Sequence, residues 1–202
     1  MRSKFALLAT GILFSWGTLC AQSARRASPG FGRAWWTGAS RLEREGFLNG
    51  YEDCQPDKAK ANLPGWSHPI GDVVDEIDRY YRAEAGSKLG AAAVALEVAA
   101  KMAPYRELPG SEVYTSRHGY YDGLWWGGAG EQVGYVEGYM VCLGQPPTRK
   151  EAERLARAIT AWYAQHPSRV DRPIADVLED LLRARRKCAA QPRKSGTSKP
   201  GS

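Results

Sequence analysis

The sequence has few of the residues that catalysis and metal binding most often use. Of its 202 residues, three are histidines and four are cysteines. The cysteines at 54, 142 and 188 lie too far apart in the chain for a CxxC redox motif or a zinc knuckle. HExxH, Walker A, GxGxxG and GxSxG motifs are all absent from the sequence. We therefore expect no metal, no cofactor and no enzymatic activity.

Long hydrophobic runs are also missing, apart from one at the amino terminus. Two basic residues precede an apolar run over 5–19, and the small residues Ala21 and Ser23 follow it. This pattern predicts a secretory signal peptide over 1–23, followed by a leader segment over 24–34. The run is shorter than the roughly 20 residues of a membrane-spanning helix. We therefore expect a periplasmic or secreted protein that is not bound to a membrane after signal cleavage.

The excess positive charge belongs to the ends of the chain. The formal net charge is +6, but seven basic residues lie in residues 1–26 and 191–202, where no acidic residue occurs. Residues 27–190 hold 21 basic and 22 acidic side chains, a net charge of −1. We therefore expect no nucleic-acid partner. The tail over 189–202 is rich in Ser, Gly, Pro and Lys and is predicted to be disordered.

An internal repeat is the most specific pattern in the sequence. A WWxGA motif at Trp35 recurs at Trp125, and the pattern G-[FY]-[LV]-x-G-Y-x-x-C recurs with it at Gly46 and Gly134. A weaker likeness continues downstream, where 77–81 resembles 159–163. The repeat predicts two related units over 35–103 and 125–188, joined by a connecting loop over 104–124.

Each unit has the periodicity of three helices, and no alternating strand pattern occurs. The predicted fold class is therefore all-α, a small helical bundle. The paired glycines on the first helix of each unit are Gly46, Gly50, Gly134 and Gly138. Because a Gly inside a helix costs about 1 kcal/mol relative to Ala, their spacing predicts close packing of another helix. A capping box at Thr148 and Glu151 starts the next helix, and Pro167 ends it.

The connecting loop holds the candidate partner-binding residues. The segment is rich in Gly and Tyr, and loops of this kind carry function more often than helices do. The candidates are Arg117, His118, Tyr120, Tyr121 and Asp122. His118 lies near Asp122, but a Ser/His/Asp triad lacks both the nucleophile elbow and an oxyanion donor. His68 and His166 each precede a proline and are predicted to have structural roles.

Carboxylates beside tryptophans favour an alternative function. The acids that flank the glycines are Glu45, Glu52, Glu131 and Glu137, and the nearby indoles are Trp35, Trp36, Trp125 and Trp126. A cleft that combined them would bind or cleave a glycan. The alternative is therefore a cell-envelope glycan-binding protein or a peptidoglycan-acting enzyme. A structural envelope protein without a ligand is a third hypothesis.

The second unit resembles a known family over 134–188. The run from Gly134 to Tyr139 resembles its GYxxG helix, and the run from Trp162 to Arg169 resembles its tyrosine-x-x-His-Pro-x-x-Arg junction, with one residue fewer between the Pro and the Arg. The helix that ends at Cys188 resembles its closing helix. The family is the Rap/Tai-type immunity proteins, small helical periplasmic proteins that block peptidoglycan amidase effectors delivered by type VI secretion. The resemblance implies a non-enzymatic protein that occludes a peptidoglycan hydrolase or amidase.

The resemblance also implies a disulfide between Cys142 and Cys188, which would leave Cys54 free. A bond between Cys54 and Cys142, on the two equivalent helices, is the rival connectivity. Either bond would close a long loop and contribute about 2–4 kcal/mol to stability. The oligomeric state is left open.

Overall fold

The computed structural model describes residues 30–56, 62–105 and 121–190. Within these residues the protein consists of α-helices and short 3-10 turns without a strand, which confirms the predicted all-α helical bundle. A single isolated bridge joins Asp122 to Pro173. The helices are α1 (Arg33–Gly38), α2 (Arg41–Asp53), α3 (Ile70–Ala83), α4 (Ala91–Lys101), α5 (Ala129–Cys142), α6 (Arg149–Gln165) and α7 (Ile174–Ala190). The predicted signal peptide, most of the leader, residues 106–120 and residues 191–202 lie outside the described residues.

Two helix boundaries differ from their predicted positions. Helix α1 begins at Arg33, inside the segment predicted as a leader, and α7 continues to Ala190, past the predicted start of the tail at 189. None of the helices in the described ranges is both long and apolar enough to cross a membrane.

Side-chain caps define the starts of α2 and α6. The Oγ of Ser40 accepts a hydrogen bond from the N–H of Glu43, whose carboxylate in turn accepts one from the N–H of Ser40. This reciprocal capping box satisfies N–H groups that the first turn of a helix leaves free. Thr148 caps α6 by accepting a hydrogen bond from the N–H of Glu151. Helix α6 ends at Gln165, shortly before Pro167, as the sequence predicts.

Helices α2 and α5 cross at the centre of the molecule, where their backbones touch through glycines. A Cβ on Gly46 would lie 2.8 Å from the Cα of Glu131, and one on Gly50 would lie 2.7 Å from the carbonyl carbon of Tyr135. The numbers of the contacting residues increase in the same direction along both helices, so α2 and α5 run parallel.

The contact is reciprocal. A Cβ on Gly134 would lie 3.0 Å from the carbonyl carbon of Glu43, and one on Gly138 would lie 2.7 Å from that of Phe47. Each helix therefore places its two glycines against the backbone of the other. Side chains at these positions would hold the two helices apart.

A disulfide joins the ends of the same two helices. Cys54 and Cys142 are bonded across a sequence separation of 88, with their Cα atoms 6.2 Å apart. This corrects the pairing of Cys142 with Cys188 that the family resemblance implies, because a cysteine forms only one disulfide. The rival connectivity is the one present. It follows from the parallel packing of α2 and α5, which brings their carboxyl ends together.

Two buried clusters lie on either side of the central pair. One is built mainly from α1 to α4 and contains Trp36, Phe47 and Ile77; the other is built from α5 to α7 and contains Tyr135, Ile159 and Leu178. Val141 of α5 belongs to the first cluster. Cys54, which follows α2, packs against the second. The central helices α2 and α5 therefore lie between the two clusters, and the ends of both helices contact the cluster on the far side.

Matching hydrogen bonds occur at positions that the sequence repeat aligns. The indole N–H of Trp36 donates to Oδ1 of Asp78 at 2.7 Å, and the indole N–H of Trp126 donates to Oγ1 of Thr160 at 2.8 Å. The hydroxyl of Tyr81 donates to the carbonyl of Leu89, and that of Tyr163 donates to the carbonyl of Arg172. The tryptophans and tyrosines at aligned positions thus donate similar hydrogen bonds, while the boundaries of the two units stay a prediction.

Candidate functional site

The candidate site is a groove where α1, α2, α5 and the start of α6 meet. It has a volume of about 540 Å³. The side chains that give it chemical character are Phe31, Trp35, Glu43, Glu137, Thr148 and Arg149. We call it the Glu137 groove.

Glu137 is the most unusual residue of the groove. It lies on α5, one residue before Gly138, and is 1% exposed. Its Oε2 atom has no hydrogen-bond partner among the described residues. Burial raises the pKa of this carboxyl to about 7, with Arg149 opposing the shift and Glu43 adding to it. A buried carboxylate without full hydrogen bonding is costly, so Glu137 is poised to accept a hydrogen bond from a ligand.

Arg149 is the first residue of α6, and its guanidinium contacts the other charged side chains of the groove. Its guanidinium is half-exposed and forms ion pairs with Glu43 and with Glu153. Its Nη1 atom lies 3.6 Å from Oε1 of Glu137, which is close enough for an ion pair but too far for a hydrogen bond. Although burial opposes the shift, hydrogen bonds from the Ser40 N–H and from Arg149 hold the pKa of Glu43 below its usual value. Arg149 therefore leaves Glu137 incompletely neutralised.

Aromatic rings form one wall of the groove. The Trp35 indole is half-buried and packs against Phe31 and Phe47, with ring centroids 5.2 and 4.9 Å away. These contacts fix the orientation of the ring. An indole beside carboxylates is suited to cations, which it attracts through its π face, and to sugar rings, on which it stacks.

The structure does not gather all the predicted acids and indoles into one cleft. Glu45 forms an ion pair with Arg41 at 2.8 Å on the surface of α2. Trp36 is 1% exposed and belongs to the core. Glu131 lies in the first turn of α5, near Gly127, and burial raises its pKa. Trp125 and Trp126 pack against the second buried cluster. Of the predicted set, Glu137 and Trp35 line the groove together.

The candidate partner-binding residues are only partly described. Arg117, His118 and Tyr120 lie outside the described residues. The Tyr121 hydroxyl donates to Oδ1 of Asn49 at 2.9 Å. Asp122 is 3% exposed and accepts hydrogen bonds from the N–H groups of Leu124 and Trp125. Both described members of the set therefore have structural contacts within the fold.

The two described histidines hold turns next to their helices. A ring nitrogen of His68 lies 2.6 Å from the carbonyl oxygen of Ala103. His166 stacks on Trp162 with centroids 4.4 Å apart, and its Nδ1 contacts the carbonyl of the same residue. In the part of the chain that the structure describes, no group of three or more His, Cys, Asp or Glu side chains is placed to hold a metal ion.

Three residues that line the groove were not predicted as site residues from the sequence: Phe31, Glu43 and Arg149. Glu43 had a visible signal, since Ser40-x-x-Glu43 is a capping-box pattern. Arg149 had none, because its contact with Glu43 joins residues that are 106 positions apart. Such a contact depends on how α6 packs against the central pair.

The geometry equips the groove to bind a hydrogen-bond donor next to an aromatic ring. Glu137 supplies the buried acceptor, Trp35 supplies the wall, and Arg149 and Glu43 supply a fixed ion pair at the rim. Comparisons of the chain with protein-family models, with curated proteins and with solved structures found no match.

Proposed function

We propose that the mature protein is a periplasmic or secreted binding protein without enzymatic activity, similar to the Rap/Tai-type immunity proteins, and that it occludes a peptidoglycan amidase. The observation that carries this proposal is the junction between α6 and α7. Its 3-10 turn over Pro167–Arg169 follows His166, which stacks on Trp162. The residues that resemble the family motif are thus the residues that shape this junction.

The disulfide supports the proposed compartment. Cys54 and Cys142 are bonded within the fold, and disulfides persist in oxidising compartments such as the periplasm. Export by the signal peptide over 1–23 would take the chain there. The amidases that act on peptidoglycan work in the same compartment, so the proposed partner would be within reach.

We propose further that the chain contains two related three-helix units, packed around α2 and α5. The paired indole hydrogen bonds of Trp36 and Trp126 support this arrangement. So do the paired tyrosine hydrogen bonds of Tyr81 and Tyr163. Two units of this kind would present a larger binding surface than one.

The occluding segment in this proposal is the connecting loop. Its ends are held, since the N–H of Tyr105 donates to Oγ of Ser67 and the hydroxyl of Tyr121 donates to Asn49. The intervening residues Arg117, His118 and Tyr120 would enter the cleft of the amidase. Tyr and Arg side chains are the residues that most often dominate a protein interface.

The experiment combines the purified mature protein with peptidoglycan amidases of the type VI effector class. We expect a stoichiometric complex with one of them and loss of its cleavage of purified cell wall. The double variant Arg117→Ala plus Tyr120→Ala is expected to lose the complex while its thermal unfolding is unchanged. The matched control is Arg79→Ala, which removes a guanidinium that is 62% exposed on α3. Binding that survives the loop variant would contradict the loop assignment.

A second candidate function is binding or cleavage of peptidoglycan in the Glu137 groove. The specific observation that favours it is a carboxyl with a pKa of about 7 next to the Trp35 indole, since a general acid needs a raised pKa. Incubation with purified cell wall tests it. Release of soluble fragments that Glu137→Gln abolishes would establish this function and overturn the proposal of a non-enzymatic protein.

A further inference from the structure

The two halves of the molecule place an aromatic ring at equivalent positions. Phe31 and Tyr121 each lie four residues before the first tryptophan of a WWxGA motif. The carbonyl of Phe31 accepts a hydrogen bond from the N–H of Ala91 at 2.7 Å, and the carbonyl of Tyr121 accepts one from Ile174 at 2.8 Å. Each donor is the first residue of a later helix, α4 or α7. The rings of Phe31 and Tyr121 therefore occupy corresponding places.

The central helices likewise place a buried polar residue at equivalent positions. Asn49 on α2 and Glu137 on α5 each precede the second glycine of their pair. Asn49 is 4% exposed and Glu137 is 1% exposed. Burial at both positions means that each side chain needs a hydrogen-bond partner within the protein or from a ligand.

The two positions differ in how that need is met. Tyr121 donates its hydroxyl proton to Oδ1 of Asn49. At the corresponding place beside Glu137 the aromatic residue is Phe31, which has no hydroxyl, and Oε2 of Glu137 has no partner among the described residues. The buried polar residue of α2 is therefore satisfied within the protein, whereas that of α5 leaves an acceptor at the floor of a groove.

We propose that the Glu137 groove binds an ammonium or guanidinium group that donates a hydrogen bond to Oε2 of Glu137 while the attached carbon chain lies along the Trp35 indole. Glu43 and Arg149 form an ion pair in the groove, so the ionised form of Glu137 gives it a net negative charge, which favours a cationic ligand over a neutral one. A volume of about 540 Å³ accommodates a side chain of this size. Stacking of a cation on an indole adds to the attraction.

The charges around Glu137 agree with this ligand class. Burial raises the pKa of Glu137, Glu43 and Glu153 raise it further, and Arg149 lowers it. An added cation at Oε2 would lower that pKa and hold the carboxylate in its charged form. A cation site in this groove does not require an amidase partner.

The ligand group has two sources that the experiment separates. One is a basic side chain of a protein or peptide, and the other is a small alkylamine. We would titrate the mature protein with Nα-acetyl-arginine amide, a short Gly-Arg-Gly peptide and spermidine, and follow the Trp35 indole N–H by NMR. Tighter binding of the peptide would assign the site to a protein side chain. Tighter binding of spermidine would assign it to small amines.

The neutral control ligand is Nα-acetyl-citrulline amide, which has the shape of the arginine derivative without its charge. We expect it to bind at least about tenfold more weakly, because a hydrogen bond between charged groups is lost. Glu137→Gln is expected to weaken binding of the arginine derivative by a similar factor. Equal binding of both ligands, unchanged in Glu137→Gln, would overturn the proposal. Binding of a chitin disaccharide without any binding of the cations would overturn it as well.

A second variant keeps the test decisive if Glu137→Gln fails to fold. Phe31→Tyr gives the groove the hydroxyl that Tyr121 gives to Asn49 in the other half. We expect this variant to fold and to lose binding of the arginine derivative by about tenfold or more, because its hydroxyl occupies Oε2. Binding that is unchanged in a folded Phe31→Tyr protein would contradict the placement of the ligand at Oε2.

Discussion

The Tyr121 hydroxyl donates a 2.9 Å hydrogen bond to Oδ1 of Asn49 and so ties the start of the second WWxGA segment to the middle of α2. Residues 49 and 121 are 72 positions apart in the chain. This contact satisfies the buried polar residue of α2, whereas Oε2 of Glu137, the corresponding residue of α5, has no hydrogen-bond partner among the described residues.

Tyr121→Phe is expected to destabilise the protein by about 1–2 kcal/mol, because the buried Oδ1 of Asn49 loses its donor. Phe31→Tyr is its matched counterpart and is expected to stabilise the protein by about 1 kcal/mol, because it offers a donor to Glu137. Urea denaturation measures both free energies of unfolding. A Phe31→Tyr variant that is less stable than the wild type would show that the two positions are not equivalent.

Gly138→Ala tests the close contact between α2 and α5. Its Cβ would lie 2.7 Å from the carbonyl carbon of Phe47, so the central helices must separate. We expect a loss of about 1–3 kcal/mol in the free energy of unfolding. Gly38→Ala is the control, since a Cβ there meets no atom within 4 Å. Equal effects of the two substitutions on the urea midpoint would refute the role of the glycines in helix packing.

The disulfide predicts a second loss of stability. The double variant Cys54→Ser plus Cys142→Ser opens a loop of 88 residues and is expected to cost about 2–4 kcal/mol. Cys188→Ser serves as the control and should leave the bond between Cys54 and Cys142 intact. Peptide mapping without reducing agent checks the connectivity, and a peptide that links Cys142 to Cys188 would contradict it.

The buried carboxyl of Glu137 predicts a pH dependence of stability. Its pKa is raised from 4.5 to about 7 in the folded protein, chiefly by burial. The folded state therefore binds this proton more tightly than the unfolded state, and its stabilising effect is complete below about pH 4.5 and is lost as the pH rises through about 7. Each unit of difference in pKa is worth about 1.4 kcal/mol.

The measurement compares the wild type with Glu137→Gln, in which the other titrating groups are shared. From pH 4 to pH 8 we expect the free energy of unfolding of the wild type to fall relative to that of the variant. If the difference between the two proteins stays constant over this range, Glu137 does not titrate with a raised pKa.

The fold could be predicted from local patterns because those patterns act over a few residues. Thr148 caps α6 and Pro167 follows its end, and both signals are visible within one turn of the chain. The glycines of α2 and α5 could be predicted to pack closely, since an interior glycine needs a compensating contact. Their partner helix could not be chosen, because that depends on the parallel arrangement of the two repeats.

Less of the groove than of the fold could be predicted from the sequence. The sequence predicts a cleft of four acids and four indoles, but of these eight residues Glu137 and Trp35 line the groove and the other six lie elsewhere. What distinguishes Glu137 is that Phe31, which has no hydroxyl, lines the same groove and that Arg149 stays 3.6 Å away. Both placements depend on tertiary packing. The predicted disulfide between Cys142 and Cys188 was wrong for a related reason. The resemblance of the second unit to its family favoured Cys188, whereas the parallel central helices bring Cys54 to Cys142.

We propose that the protein binds and blocks a peptidoglycan amidase. The most direct measurement is the rate at which a type VI amidase effector cleaves purified cell wall as the mature protein is added. We expect the rate to fall in proportion to the added protein and to reach zero at equimolar amounts for the cognate amidase. Full cleavage by every such amidase in the presence of excess protein would contradict the proposal.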